Sequence, residues 1–110
     1  MAEKWKDALT DKLCEAFLTL KTVDEMYAFF CDVATIGEIR AMAQRLEVAR
    51  LLNEKKTYPQ IAQETTTSTA TISRVKKSLD YGADGYRIVL ERMYGDEVKR
   101  PNSLPRARKR

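Results

Sequence analysis

A chain of 110 residues, of which 44% are hydrophobic, is one domain whose core would be thin if the chain stood alone as a monomer. Glycine and proline are scarce and no stretch alternates with period two, so we predict an all-α fold of about six helices. No apolar run approaches the roughly 20 residues of a membrane span, and no signal peptide is evident, so we expect a cytoplasmic protein with no membrane partner.

The residues that usually carry catalysis or bind metals are poorly represented. The chain has no histidine, which excludes a histidine metal site or general base. It has no nucleophile–base pair, glycine-rich phosphate loop or metal-ligand spacing, so we predict no enzyme, no metal and no cofactor. The two cysteines, Cys14 and Cys31, lie in apolar helical context and are expected to be reduced core residues.

Helical spacing of apolar residues predicts a long first helix, from Trp5 to Leu20, whose apolar face needs a large surface to cover it. Capping boxes then predict the starts of two more helices, at Thr22 with Glu25 and at Thr35 with Glu38. The residues expected to face inward from these two helices are Met26, Phe29, Phe30, Val33, Ile39, Met42, Ala43, Leu46, Ala49 and Leu52.

Residues 57–81 have the outline of a helix-turn-helix. A third capping box, Thr57 with Gln60, starts its first helix, and the hydroxyl-rich run at 65–68 breaks it. In the second helix an inward stripe recurs at helical spacing. That stripe consists of Ile72, Val75 and Leu79. Thr66 takes a turn position where glycine is common because the backbone there can need a positive φ.

The outward face of this second helix suits the major groove of DNA, where small or hydrogen-bonding groups read base edges and cations meet phosphates. The predicted base contacts are Ser68, Thr69, Ala70 and Ser73. The predicted phosphate contacts are Thr57, Arg74, Lys76 and Lys77. The alternative is an ordinary helical hairpin with a solvated basic face.

The distribution of charge along the chain supports a single basic face at the helix-turn-helix. Residues 55–79 hold five Lys/Arg against Glu64 alone, whereas residues 1–54 hold seven against ten Asp/Glu. Gly82 is expected to end the second helix in the left-handed region, and a last helix is predicted from about Asp84 to Tyr94. We therefore divide the chain into one all-α DNA-binding domain, 1–94, and a basic, disordered tail, 95–110.

The segments AMAQRLEVARLL, TTTSTATISR and SLDYGADGY resemble the Trp-repressor superfamily and, within it, the Trp-repressor-like YerC/YecD group. The resemblance implies an all-α homodimer with intertwined N-terminal helices and two helix-turn-helix heads for successive major grooves. The resemblance thus makes domain 1–94 a dimerisation domain as well, and in such a dimer we place the first helix at the interface. The interface residues on that helix are Trp5, Leu9, Leu13 and Phe17.

The resemblance also indicates an effector pocket between the central and recognition helices, where the Trp repressor holds its corepressor between two arginines. Arg74 matches one arginine, but the other falls on Gln44, and Val75 replaces a glycine that makes room for the ligand. The pocket would consist of Gln44, Arg45, Arg74, Val75 and Ser78. We expect tryptophan not to bind, while another small-molecule corepressor stays possible.

The leading hypothesis is a sequence-specific transcriptional regulator, a repressor, that binds an inverted-repeat operator in double-stranded DNA as a homodimer. One alternative is a dimeric scaffold that binds a protein of the transcription machinery. Another is a regulator that responds to an unknown small effector.

Overall fold

The computed structural model describes residues 4–95 and 97–98, which contain six α-helices and no strand. The all-α prediction is confirmed. The helices are α1 (Ala8–Leu18), α2 (Val23–Val33), α3 (Ile36–Asn53), α4 (Tyr58–Thr65), α5 (Thr69–Tyr81) and α6 (Gly85–Tyr94). Over the same residues, none of these helices has the length and apolar character to cross a membrane. The chain divides into two compact units, Met1–Ile39 and Arg40–Arg110.

Helix α1 is shorter than the apolar spacing predicted, because Asp7 caps it. The Asp7 carboxylate accepts a hydrogen bond from the Thr10 backbone N–H at 2.9 Å, and this bond lowers the pKa of Asp7. The helix therefore begins at Ala8 and ends at Leu18, with Trp5 and Leu20 outside it. Aspartate is a preferred N-cap residue, and the cap at Asp7 sets the start of α1 although the apolar spacing extends back to Trp5.

The predicted caps of α2 and α3 form. Thr22 accepts from the Glu25 backbone N–H at 3.1 Å, although the Glu25 carboxylate reaches back to the N–H of Lys21 and not to that of Thr22. Thr35 and Glu38 make both bonds of a capping box, at 3.1 and 2.8 Å. These contacts span only three or four residues, which is why local sequence predicts them well.

The N-terminal unit has little interior of its own. Phe17 packs against Phe29 and Phe30, with ring centroids 5.2 and 5.7 Å apart, yet no residue of α1 or α2 is fully buried. Cys14 and Cys31 are exposed, so the prediction of core cysteines was wrong. Two short helices are not enough to cover both faces of either one, and most apolar side chains here stay open to solvent.

The second unit holds the core. Its buried apolar residues come from four helices and from one residue near the end of the described chain. They are Val48, Ala49, Leu51, Ile61, Ile72, Val75, Leu79, Leu90 and Val98. Each such side chain contributes about 1.5–3 kcal/mol when fully removed from water, less for Ala49. Helices α4, α5 and α6 and the part of α3 from Arg40 onward therefore pack as one body, which includes the helix-turn-helix segment.

Within α3 the predicted inward stripe is partly confirmed, because Leu46 and Leu52 are half-buried and pack against the core. Ala49 is buried as expected, but Met42 is exposed, and the stripe omitted Val48 and Leu51, which are buried. Residues 48, 49 and 51 point in different directions around a helix, so the end of α3 is enclosed on more than one side. An enclosed helix has no single apolar stripe to detect. In α6, Val89 and Met93 are exposed, whereas Leu90 is buried.

Packing continues past Tyr94, where the domain was predicted to end. Val98 is only 1% exposed, and its backbone N–H donates to the Glu91 carboxylate at 3.4 Å. The packed part of the chain therefore reaches at least Val98. Residue 96 and residues 99–110 of the predicted basic tail lie outside the described residues, and the tail stays a prediction.

Candidate nucleic-acid interface

Helix α4 begins where the sequence predicts, at a reciprocal capping box. The Thr57 backbone N–H donates to the Gln60 side-chain oxygen at 2.8 Å, and the Gln60 N–H donates to the Thr57 hydroxyl at 3.3 Å. Pro59 lies in the first turn, where its missing N–H costs nothing. Thr57 is exposed and accepts in this cap, which leaves its O–H able to donate to a phosphate.

The turn between α4 and α5 is held by hydroxyl groups. The buried Thr65 hydroxyl donates to the Ile61 carbonyl at 2.7 Å and lies 2.6 Å from the Thr67 hydroxyl. Thr66 has a φ of 53°, and its hydroxyl donates to the Thr65 carbonyl. The turn thus needs the positive φ expected at this position, and a β-branched residue adopts it at a cost of about 1–3 kcal/mol.

Thr66→Gly should raise the free energy of unfolding by about 1 kcal/mol. Glycine removes the left-handed strain but loses about 0.5–1 kcal/mol through its freedom in the unfolded chain. Thermal or urea unfolding measures the change. Thr67→Gly is the control, since φ at Thr67 is not positive and the substitution should destabilise. A less stable Thr66→Gly protein would show that the Thr66 hydroxyl bond outweighs the strain.

Helix α5 presents the face that the sequence assigned to DNA. Ser68 caps it, accepting from the Thr71 backbone N–H at 3.1 Å, so the helix begins at Thr69. The stripe of Ile72, Val75 and Leu79 is buried as predicted. The residues predicted to contact bases are all exposed at the N-terminal end of α5 or at its cap. They are Ser68, Thr69, Ala70 and Ser73.

The cations of α5 differ in their surroundings. Arg74 and Lys77 are exposed beside the base-contact residues. Lys76 forms an ion pair with Asp80 at 3.0 Å, and the Asp80 side chain is largely buried. This pairing, which the sequence reasoning missed, follows the i,i+4 spacing of opposite charges that favours such pairs on helices. Lys76 therefore meets a phosphate less readily than Arg74 or Lys77.

The five residues of the predicted effector pocket have different environments. Val75 is buried in the core, Arg45 is half-buried and Arg74 is exposed. The Gln44 side chain donates to the Thr65 carbonyl at 3.3 Å. Ser78 instead lines an open, mostly apolar cavity of about 480 Å³. The rest of that cavity is lined by Leu46, Gly82, Ala83, Gly85, Tyr86 and Val89.

The end of α5 corrects one prediction. Gly82 has a φ of −83°, so it does not adopt the left-handed conformation expected of it. Its N–H donates to the Ser78 carbonyl at 2.8 Å, and a Cβ on Gly82 would lie 2.4 Å from that carbonyl oxygen. Glycine is required here because the backbone approaches closely. Asp84, two residues later, adopts the positive φ instead, at 73°.

The predicted dimer residues are mostly accessible in the single chain. Trp5 is 66%, Leu9 79% and Leu13 41% exposed. Phe17 is half-buried because it packs on the two phenylalanines of α2. Other large apolar side chains of this unit are exposed as well. They are Leu18, Val23, Tyr27, Val33 and Ile36.

A short capped helix, a hydroxyl-rich turn and a second helix with an exposed polar and cationic face together define a helix-turn-helix protein. A family model described as Trp repressor protein matches residues 8–94, and the chain belongs to this family of helix-turn-helix DNA-binding regulators. The family is one of regulators and not, in general, of enzymes. The resemblance drawn from the sequence is thereby confirmed.

Similar proteins agree with this assignment. The chain is 48% identical over 97 residues to the uncharacterized protein YerC of Bacillus subtilis. The matched region covers 88% of this chain and 93% of YerC. A crystal structure of a TrpR-like protein from Eubacterium eligens has a TM-score of 0.81 and 52% identity, over 87% of this chain and 98% of that one. A candidate Trp repressor from Staphylococcus aureus has a TM-score of 0.81 and 46% identity, over 86% and 94%.

Proposed function

We propose that the protein is a sequence-specific transcriptional regulator that represses by occupying promoter DNA. The observation that carries the proposal is the outward face of α5. There the exposed Thr69, Ala70 and Ser73 stand at the N-terminal end, and Arg74 and Lys77 lie beside them. A recognition helix enters the major groove with this end and contacts base edges, while neighbouring cations bind phosphates.

The proposed active species is a homodimer in the cytoplasm. The exposed apolar side chains of α1 and α2 supply a surface for a second copy, because that unit has no fully buried residue in either helix. Two α5 helices spaced about 34 Å apart would enter successive major grooves, and the operator would be an inverted repeat. RNA polymerase could not then use the same stretch of promoter.

Selection of duplexes from a random pool by the wild-type protein tests the proposal. A family of inverted repeats should be enriched, and affinity for them should fall about 10³- to 10⁵-fold between 50 and 200 mM salt if six to ten phosphates are contacted. No enrichment, together with affinity that salt scarcely changes, would contradict DNA binding. That outcome would favour the scaffold that binds a protein of the transcription machinery.

We further propose that tryptophan is not the effector. Val75 fills part of the core with its side chain, and Gln44 uses its amide on the Thr65 carbonyl, so neither offers an indole a binding surface. Millimolar tryptophan should leave the melting temperature and the affinity for the selected duplex unchanged, as scanning calorimetry and fluorescence anisotropy would show. Stoichiometric tryptophan binding at micromolar concentration would refute the proposal that tryptophan is not the effector. The proposal allows for a different small molecule as effector.

A further inference from the structure

One side-chain hydrogen bond joins the central helix to the turn of the helix-turn-helix. The Gln44 Nε2 in α3 donates to the backbone carbonyl of Thr65 at 3.3 Å, across 21 positions of the chain. Thr65 is the last residue of α4. The contact therefore fixes the end of α4 relative to a long helix that contributes three residues to the core.

The Thr65 carbonyl accepts two hydrogen bonds from side chains. The last carbonyls of a helix have no partner within it, so this oxygen accepts from donors outside α4. The Thr66 hydroxyl also donates to this oxygen, so its two lone pairs are both used. Since the next residue has the strained left-handed backbone, the turn depends on its neighbours to hold its shape.

We infer that Gln44 is a positioning residue for DNA binding, an inference that rests on the proposed function. Helix α5 begins at Thr69, four residues after Thr65, and its cap Ser68 lies in the turn itself. Any shift of the Thr65 carbonyl displaces the end of α5 that reads bases. Base hydrogen bonds require placement within about 0.5 Å, so a small movement of the turn weakens specific binding.

If Gln44 only stabilised the fold, its replacement would reduce the amount of folded protein and lower the affinity for all duplexes alike. Gln44 is exposed apart from this bond, so its replacement opens no cavity and should change global stability little. Nonspecific binding depends on phosphates and tolerates a displaced turn. Loss of the Gln44 bond should therefore lower the ratio of specific to nonspecific affinity, which a uniform loss of folded protein cannot do.

The test compares three variants of the full-length protein. Gln44→Leu removes the donor at similar size, Gln44→Lys keeps a donor, and Gln63→Leu removes an exposed glutamine of α4 as the matched control. Each binds two probes: the duplex selected by the wild type, and a random duplex of equal length. Amide hydrogen exchange over residues 65–69 reports the turn without DNA.

We expect Gln44→Leu to lower the specific-to-random affinity ratio about three- to tenfold and to speed exchange in the turn. Gln63→Leu should change neither, and Gln44→Lys should restore most of both. Unchanged exchange with an unchanged ratio, or equal loss on both duplexes, overturns the inference. If the wild type selects no duplex, the proposed function fails and exchange alone decides: faster exchange in Gln44→Leu supports the hold on the turn, and unchanged exchange overturns it.

Discussion

Leu9→Glu should sediment as a 12.6 kDa monomer at concentrations where the wild type has about twice that mass. Leu9 is 79% exposed in one chain, so in a monomer glutamate would meet water and alter stability by less than about 0.5 kcal/mol. Between two protomers the same carboxylate would be buried without a partner, which costs several kilocalories per mole. A large effect of Leu9→Glu on stability or on the measured mass therefore requires that a second chain cover this residue.

Lys12→Gln is the control for this experiment. It changes the charge of the same helix by the same amount at an exposed polar residue, and the mass should stay that of the wild type. Analytical ultracentrifugation over a range of concentrations distinguishes the two variants. If Leu9→Glu kept the wild-type mass, the face of α1 that carries Leu9 would not lie between protomers, and a monomeric wild type would remove the paired half-sites altogether.

Thr69→Ala and Ser73→Ala should each change sequence preference at a particular base position by about 1–3 kcal/mol. Both side chains are exposed at the end of α5 that enters the groove, four residues apart and therefore on one face. Lys77→Ala should instead weaken binding to all duplexes alike and reduce the salt slope by about one. Repeating the selection with each variant, and titrating salt, separates the two effects.

Ser78→Ala is the matched control, because Ser78 is an exposed residue near the other end of α5 and lines the apolar cavity. Its preference should equal that of the wild type. Should Thr69→Ala and Ser73→Ala lower affinity uniformly, as Lys77→Ala does, α5 would be meeting the phosphate backbone. The bases would then be read by another part of the protein or not at all.

Local sequence predicted the features whose causes are local. The Thr57 capping box and the positive φ at Thr66 depend on residues within a turn of each other, and both are present. The burial of Ile72 was also predicted from the sequence, because α5 has one polar, solvent-exposed face and one apolar, buried face. Boundaries and one-sided faces of short helices are therefore readable from a single sequence.

Features that depend on distant neighbours were not predicted. Nothing near Gln44 in the sequence indicates that its amide will meet Thr65, and nothing near Val48 shows that α3 is enclosed on several sides. The exposure of Cys14 follows from how little covers α1 within its own unit. Such properties depend on tertiary contacts, which helical periodicity does not encode.

The absence of a fully buried side chain in α1 and α2 bears on how expression of a controlled gene would depend on the concentration of the protein. If those helices are completed only by a second copy, the DNA-binding species grows with the square of protomer concentration when protein is scarce. Halving synthesis would then remove about three quarters of that species at low concentration. A promoter under its control would switch over a narrow range of expression without any small molecule.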